Sequence, residues 1–197
     1  MSVPDIISLE EAKIFLKLLS NMDGDQESQL SAILNGINAA IPVHCNRQLG
    51  SDSITEWRNG AGRKILQLKE YPATAVASVT HYDENESATT VALTDFWRDD
   101  DSGQLEMKPN AVHDTVWRKG SHNYKVVYMA GYSADDMPQD LKLAALTWVG
   151  IIWKRVEQNL LNVQSISFGG QTMSYRFEKI PAEVEQMLSR YVRPPYA

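Results

Sequence analysis

The sequence has almost no cysteine, since Cys45 is the only one among 197 residues. A disulfide bond within the chain is therefore excluded, which fits a reducing compartment. No uninterrupted apolar run reaches the length that a membrane-spanning helix requires. The N-terminus also lacks the basic and apolar regions of a signal peptide. We therefore expect a soluble protein that is made and used in cytoplasm, or in something assembled there.

The sequence also has no excess of basic residues. The chain has 19 Lys and Arg residues against 25 Asp and Glu residues, a formal net charge of −6. A dedicated DNA-binding surface normally shows a basic patch or stripe, so the charge balance argues against one. The hydrophobic content of 43% is sufficient for a core, and the length suits one domain with room for an appendage.

No catalytic or metal-binding pattern stands out. The four histidines lack the spacing of metal ligands on a helix; they are His44, His81, His113 and His122. His44 beside Cys45 supplies two ligands, whereas a structural zinc site needs four. The candidate nucleophiles Ser165, Ser167 and Cys45 lie in no elbow or triad-like context. We predict no catalytic residue, no metal site, no cofactor and no enzymatic activity.

The most informative stretch is residues 124–155, where a strand, a turn and a strongly apolar helix follow one another. Residues 124–129 alternate as a strand requires, and Gly131 then interrupts the strand. Asp135, Asp136 and Pro138 mark the start of a helix, because acidic residues suit its first turn and Pro is tolerated there. This helix is apolar on two faces and must be covered on two sides.

The two faces of this helix lead to a prediction about subunit contact. The first face carries Leu141, Ala144, Ala145, Trp148, Ile152 and Val156. The second carries Leu143, Leu146, Val149 and Trp153. We expect the first face to form the intramolecular core. We predict that Leu143, Leu146 and Trp153 contact a neighbouring subunit.

The other elements give an α+β fold class: a small bundle of three to four main helices with an inserted β-rich subdomain and an extended C-terminal arm. The helices are predicted over residues 8–20, 25–45 and 138–160. A capping box at Ser8 and Glu11 begins the first, and Pro42 is expected to kink the second. The β-rich insertion covers residues 54–130, where short β-prone runs alternate with turn residues.

Two further predictions concern connections and boundaries. Residues 59–62, Asn-Gly-Ala-Gly, predict a hairpin between strands at 54–57 and 65–68. The main domain is assigned to residues 1–160. The arm is assigned to residues 161–197, with a hairpin or extended segment around Gly169–Gly170 and a short helix at 181–191.

The order of these elements resembles the head-tail connector proteins of long-tailed double-stranded DNA bacteriophages, also called adaptors or head-completion proteins. The most specific motifs are YKVVYMAGY at 124–132 and MPQDLK at 137–142, followed by the apolar helix that ends in Lys154 and Arg155. Further similar segments are 7–13, 25–45, 66–72, 76–79, 165–168, 180–184 and the tail around Arg190, Tyr191 and Arg193. The match covers nearly the whole chain.

The resemblance implies a structural virion protein at the portal vertex, assembled in the host cytoplasm. Such proteins form a homo-oligomeric ring, commonly of twelve copies, beneath the portal protein. The ring extends the DNA channel and offers a docking surface to the next neck protein, a stopper or a tail protein. Packaged DNA passes through without specific binding, which suits an acidic subunit. The resemblance implies no membrane contact and no cofactor.

The resemblance also implies where the portal is bound. In these proteins the C-terminal arm reaches the outer rim of the portal, which places residues 180–197 there. The candidate portal-binding residues are Arg190, Tyr191, Arg193, Pro194 and Tyr196. Aromatic and arginine side chains suit buried anchoring, and prolines reduce the ordering cost of an extended tail. The alternative is a frayed terminus.

The sequence is also compatible with two other functions. A head stopper or a tail-completion protein of the neck has similar composition and β content, and the location within the particle distinguishes it from an adaptor. A metal-dependent hydrolase using His81, Asp83 and the acidic run 99–101 requires those residues to converge on a metal ion.

Overall fold

The computed structural model describes residues 5–18, 22–112, 114–158, 165–168, 171–174 and 180–193, with the backbone alone for the segments between 165 and 174. The chain divides into two compact units. Residues 47–136 form the β unit, and residues 5–46 together with the chain from 137 onwards form the helical unit. The mixed helical and β content agrees with the prediction, since the described residues include four α-helices and antiparallel sheets.

The helical unit begins with two helices that have matching N-terminal caps. Helix α1 is Leu9–Leu16, and the Ser8 hydroxyl accepts a hydrogen bond from the Glu11 amide while the Glu11 carboxylate accepts one from the Ser8 amide. Helix α2 is Gly24–Cys45, capped in the same reciprocal way by Asp23 and Gln26. Such caps satisfy amides that a helix leaves without partners. Helix α2 continues through Pro42 before it ends.

The remaining helices of this unit are the central helix and two short elements. Helix α3 is Gln139–Glu157, helix α4 is Ala182–Leu188, and a 3-10 turn follows at Ser189–Tyr191. The Asn38 side chain of α2 holds the segment before α1, since its amide donates to the Ile7 carbonyl at 3.0 Å. No helix among the described residues is long and apolar enough to cross a membrane.

The β unit contains two antiparallel sheets. The four-stranded sheet has the order β1-β7-β3-β4, with β1 Asp52–Gly60, β3 Ala73–Tyr82, β4 Ala88–Val91 and β7 Gly120–Ala130. The three-stranded sheet has the order β2-β6-β5, with β2 Ile65–Gln67, β5 Phe96–Asp99 and β6 Gln104–Met107. Outside this unit, β8 Ser165–Phe168 and β9 Gln171–Ser174 pair with each other, as a hairpin would.

The hairpin predicted between residues 54–57 and 65–68 is wrong. Strand β1 pairs instead with β7, for example Ile54 with Tyr128, and β2 pairs with β6. Half-buried and exposed side chains alternate along β1, and buried and half-buried side chains alternate along most of β7, so the two strands share one alternating pattern. This long register gives β1 more cross-strand contacts than the three-residue β2 could offer.

The core of the β unit is aromatic. Trp117 and Tyr124 are buried, with ring centroids 5.1 Å apart in an edge-to-face arrangement. The Trp117 indole N–H donates to the Leu105 carbonyl of β6 at 2.9 Å, while Tyr124 lies on β7. This contact therefore joins the two sheets, and it satisfies the polar atom of a buried tryptophan.

The turn after β7 yields a test of this fold. Gly131 has φ +93, and a Cβ there would collide with the Gly50 carbonyl. We expect Gly131→Ala to reduce the free energy of unfolding by about 2 kcal/mol or more, because strain and steric overlap add. Urea unfolding of the purified protein measures the loss.

The matched control is Gly36→Ala in helix α2. A Cβ at Gly36 meets no heavy atom within 4 Å. Alanine there is expected to raise stability by up to about 1 kcal/mol through helix propensity. Equal effects of the two substitutions would contradict the backbone geometry assigned to Gly131.

Candidate functional site: the central helix and the root of the arm

The buried side of α3 is a single stripe. Its buried residues are Leu141, Ala144, Ala145, Val149 and Trp153. Spacings of four residues place them along one side of the helix. The stripe lies between the two apolar faces predicted from sequence, so each face is partly covered. Trp148 and Ile152, expected in the core, are half-buried.

The three predicted subunit-contact residues have different environments. Leu143 is 47% exposed, Leu146 is half-buried and Trp153 is 5% exposed. The Trp153 indole N–H donates to Glu157 Oε1 at 2.9 Å, one turn further along. Because its ring is covered by its own chain, Trp153 offers little surface to a neighbour, and we remove it from the predicted contact. Leu143 keeps an exposed apolar surface.

Helix α1 adds exposed apolar surface two turns further along the same side of α3. Phe15 is 44% exposed, and its Cε1 would lie 3.4 Å from a Cβ placed on Gly150 of α3. Gly150 follows Leu143 by two helical turns, so both are on the same side of α3. Phe15 and Leu143 together are named the α1–α3 patch. An ion pair between Lys142 Nζ and Glu11 Oε1 at 2.8 Å also joins the two helices.

The charge state of Glu11 fits this junction. Partial burial acts to raise the pKa of Glu11, but the hydrogen bonds from Lys142 and Ser8 outweigh it and lower that pKa. Glu11 therefore stays ionised at neutral pH, where it serves both the α1 cap and the ion pair.

The root of the C-terminal arm is held by one carboxylate. Asp140 in the first turn of α3 accepts a hydrogen bond from the Tyr191 hydroxyl at 2.5 Å through Oδ1. Its Oδ2 accepts one from Arg190 Nη1 at 2.8 Å. We name these three residues the Asp140 clasp. It connects the residues that follow α4 to the beginning of α3, fifty residues earlier in the chain.

The clasp changes the acidity of Asp140. The hydrogen bond from Tyr191 lowers the pKa of Asp140 most, partial burial opposes it, and the charge of Arg190 lowers it further. A carboxylate that accepts several hydrogen bonds is stabilised in its charged form. The ionised state of Asp140 and the docked state of the arm root therefore favour each other.

The predicted portal-binding residues begin inside this clasp. The Arg190 side chain is 71% exposed although it pairs with Asp140. Tyr191 is 5% exposed, so its ring packs in the core of the helical unit and leaves little surface for a partner. Arg193 is half-buried, and its amide donates to the Cys45 carbonyl at 2.9 Å. Pro194 and Tyr196 lie outside the described residues.

Sequence reasoning missed the role of Asp140. The acidic residues near this helix start were interpreted through the helix dipole, which needs no partner. The actual partners are 50 and 51 residues away in the sequence. No local spacing could indicate that pairing; the only available signal was an aromatic residue and an arginine side by side at 190–191.

The convergence required by the hydrolase alternative is absent. Among the described residues, no group of three or more His, Cys, Asp or Glu side chains is arranged to hold a metal ion. In the acidic run, Asp99 accepts a hydrogen bond from the Ser102 hydroxyl and Asp100 pairs with Arg98. His81 instead packs against the Tyr124 ring, with centroids 4.9 Å apart.

Three solved structures share the fold of this chain. A chain from the neck of an empty gene transfer agent (GTA) particle, computed with C6 symmetry, has a TM-score of 0.58 at 19% identity, and the match covers 100% of this chain and 96% of that one. A chain from the virion of a native GTA particle has 0.59 at 17%, with coverage of 100% and 96%. A chain from the neck of a native GTA particle, computed with C12 symmetry, has 0.52 at 18%, with coverage of 100% and 99%.

These similarities define the class of fold: an α+β fold found in chains of GTA particles. The family model described as "Head completion protein" matches residues 5–193. The chain therefore belongs to the head completion protein family, and the resemblance inferred from its motifs is confirmed. No curated protein matches the chain.

The Asp140 clasp leads to a prediction about pH. We expect Asp140→Asn to weaken docking of the arm root by about 1–2 kcal/mol, less than fully buried hydrogen bonds to a charged group contribute, because the Asp140 side chain is partly exposed. Faster amide hydrogen exchange in residues 182–192 measures the loss. Because the clasp lowers the folded pKa of Asp140 below its ordinary value of 3.8, the contribution of Asp140 to docking is complete above that value and disappears as the pH falls through the folded pKa.

Asp135→Asn serves as the matched control, since Asp135 is an exposed acid before the same helix. It should leave exchange in residues 182–192 unchanged. Tyr191→Phe removes only the hydroxyl and should give part of the effect of Asp140→Asn. A difference between Asp140→Asn and the unaltered protein that did not shrink at all as the pH was lowered below 3.8 would contradict the clasp.

Proposed function

We propose that this protein is a structural component of the neck of a bacteriophage or phage-like particle, where it joins head to tail. One observation carries the proposal: the head completion family model spans residues 5–193. The fold similarity supports it, because the matched chains from GTA necks are covered over 96% and 99% of their lengths. We infer no enzymatic role for this protein.

The finer proposal is an adaptor ring beneath the portal. The ring extends the DNA channel, carries the docking surface for the next neck or tail protein, and is assembled in the host cytoplasm. The similar neck structures were computed with C6 and C12 symmetry, and we propose a ring of twelve copies. An acidic subunit with net charge −6 lets DNA pass without strong phosphate binding.

The α1–α3 patch is the proposed contact between neighbours in the ring. A closed ring uses head-to-tail contacts, so each copy needs two different surfaces. Phe15 and Leu143, 44% and 47% exposed, form the first surface, with Leu146 half-buried at its margin. Val43 and Val192 are exposed near the end of α2 and the arm root, and they are the proposed second surface.

The C-terminal arm is the proposed portal-binding element. Within residues 161–197, which we propose as a separate arm, Tyr191 fixes the root in the core. Exposed Arg190 and the residues beyond it make the portal contact, with Arg193, Pro194 and Tyr196 as the proposed anchors. A fixed root supports this arrangement, because it reduces the freedom that the arm loses on binding.

The ring contact is tested by Leu143→Glu. A charge buried in an apolar contact without a partner is costly, so the variant should stay folded and lose assembly into rings on the portal. Electron microscopy of the protein mixed with purified portal measures ring occupancy, and circular dichroism measures folding.

Val112→Glu is the matched control, because Val112 is 81% exposed on the β unit. It introduces the same charge on the other unit and should leave assembly intact. Full ring assembly by the Leu143→Glu variant would overturn the proposed contact but would leave the neck assignment standing.

The portal contact is tested by a chain that ends at Arg193. The Asp140 clasp remains in this truncation, so the helical unit should keep its stability. Loss of Pro194 and Tyr196 should weaken binding to purified portal by about tenfold or more, the usual effect of removing central anchor residues. Binding is measured by biolayer interferometry.

Arg190→Ala keeps the full tail but removes an exposed side chain and one hydrogen bond of the Asp140 clasp, so it measures the contribution of the root. Unchanged portal binding by the truncated chain would exclude the tail as the docking element. Cryo-EM of the assembled particle decides between an adaptor beneath the portal and a head stopper or tail-completion position further down.

A further inference from the structure

We propose that an open groove at one end of the four-stranded sheet binds a positively charged side chain, arginine or lysine, from a partner protein. The groove has a volume of about 940 Å³, and every residue that lines it belongs to the β unit. The proposal rests on the side chains of the groove itself and does not depend on the position of the protein in the neck.

The groove has an aromatic wall. Trp57 on β1 and Tyr82 at the end of β3 line it, with ring centroids 5.0 Å apart and planes tilted by 48°. Trp57 is 45% exposed, so much of its ring faces solvent. The face of a tryptophan ring attracts cations more strongly than that of any other side chain. The wall therefore offers a surface on which a guanidinium or ammonium group can stack.

The adjoining wall is acidic. It is the turn between β3 and β4, which contributes Asp83, Glu84 and Glu86. Asp83 Oδ1 accepts hydrogen bonds from the Asn85 and Ser87 amides at 2.9 and 2.8 Å, so this carboxylate builds the turn. Glu84 and Glu86 are exposed and make no ion pair among the described residues. They line the same groove as Trp57, where their charges can neutralise a bound cation.

The groove also contains basic side chains, but they do not make it favour an anion over a cation. Arg118 already pairs with Asp114, with Nε 2.6 Å from Oδ2. His122 has its Nδ1 3.1 Å from the Ser121 hydroxyl. Lys119 also lines the groove, and its ammonium group can donate a hydrogen bond to a main-chain carbonyl of the bound segment. A phosphate or other anion would meet two unpaired carboxylates, so charge complementarity favours a cationic segment.

The test uses the full-length protein and the peptide acetyl-Gly-Arg-Gly-amide. Binding is followed by tryptophan fluorescence, and the signal of Trp57 is obtained by subtracting the response of Trp57→Phe. We expect saturable binding that weakens as salt is added. Glu84→Gln combined with Glu86→Gln should weaken it about tenfold, because the change removes both unpaired charges and keeps Asp83.

Three controls match these changes. Asp101→Asn combined with Glu106→Gln alters the charge equally at exposed positions of the other sheet, and Trp97→Phe removes a tryptophan that is 53% exposed there. Both variants should bind the peptide as the unaltered protein does. A peptide with citrulline in place of arginine keeps the shape without the charge and should bind at least about tenfold more weakly.

Several outcomes would overturn the proposal. They are the absence of a saturable Trp57 signal up to the solubility limit of the peptide, equal binding of the arginine and citrulline peptides, and unchanged binding by the doubly substituted variant. Tighter binding of a thymidine tetranucleotide that Lys119→Ala abolishes would assign the groove to nucleic acid instead. If the double variant fails to fold, Glu84→Gln alone supplies the comparison.

Discussion

The structure depends on the place where the β unit is joined into the chain. Its two ends are held side by side by hydrogen bonds: the Tyr132 amide donates to the Leu49 carbonyl at 2.7 Å, and the Ser51 amide donates to the Tyr132 carbonyl at 2.8 Å. Gly131 lets the backbones approach this closely. Because the two ends of the inserted β unit lie side by side, the chain before it and the chain after it can pack into one core. Helices α1 and α2 precede the 90 inserted residues, and helices α3 and α4 follow them.

Within the helical unit, hydrogen bonds between distant segments also hold the root of the arm. The Asp140 clasp and the Arg193 amide fix the last described residues against α3 and the end of α2. The segment that would reach a portal thus starts from a defined point. An ordered root and an exposed α1–α3 patch are compatible with the ring and docking arm that we propose.

The proposed surfaces divide between the two units. The helical unit carries the apolar patch and the arm, whose proposed partners are copies of the same chain and the portal. The β unit carries the groove with Trp57, Glu84 and Glu86, which suits a basic segment of another protein. A protein that joins two parts of a particle needs separate surfaces of this kind, and the difference between apolar and charged recognition keeps their partners distinct.

The sequence by itself determined the local features. The capping box at Ser8 and Glu11, the apolar helix after Pro138 and the family motifs around 124–142 depend on neighbouring residues, so their patterns were visible. Tertiary structure decided the rest. The pairing of β1 with β7, the burial of Trp153 and Tyr191, and the clasp on Asp140 join residues far apart in the chain. Such contacts depend on which apolar surfaces the folded chain covers, and that information is not contained in the spacing of nearby residues.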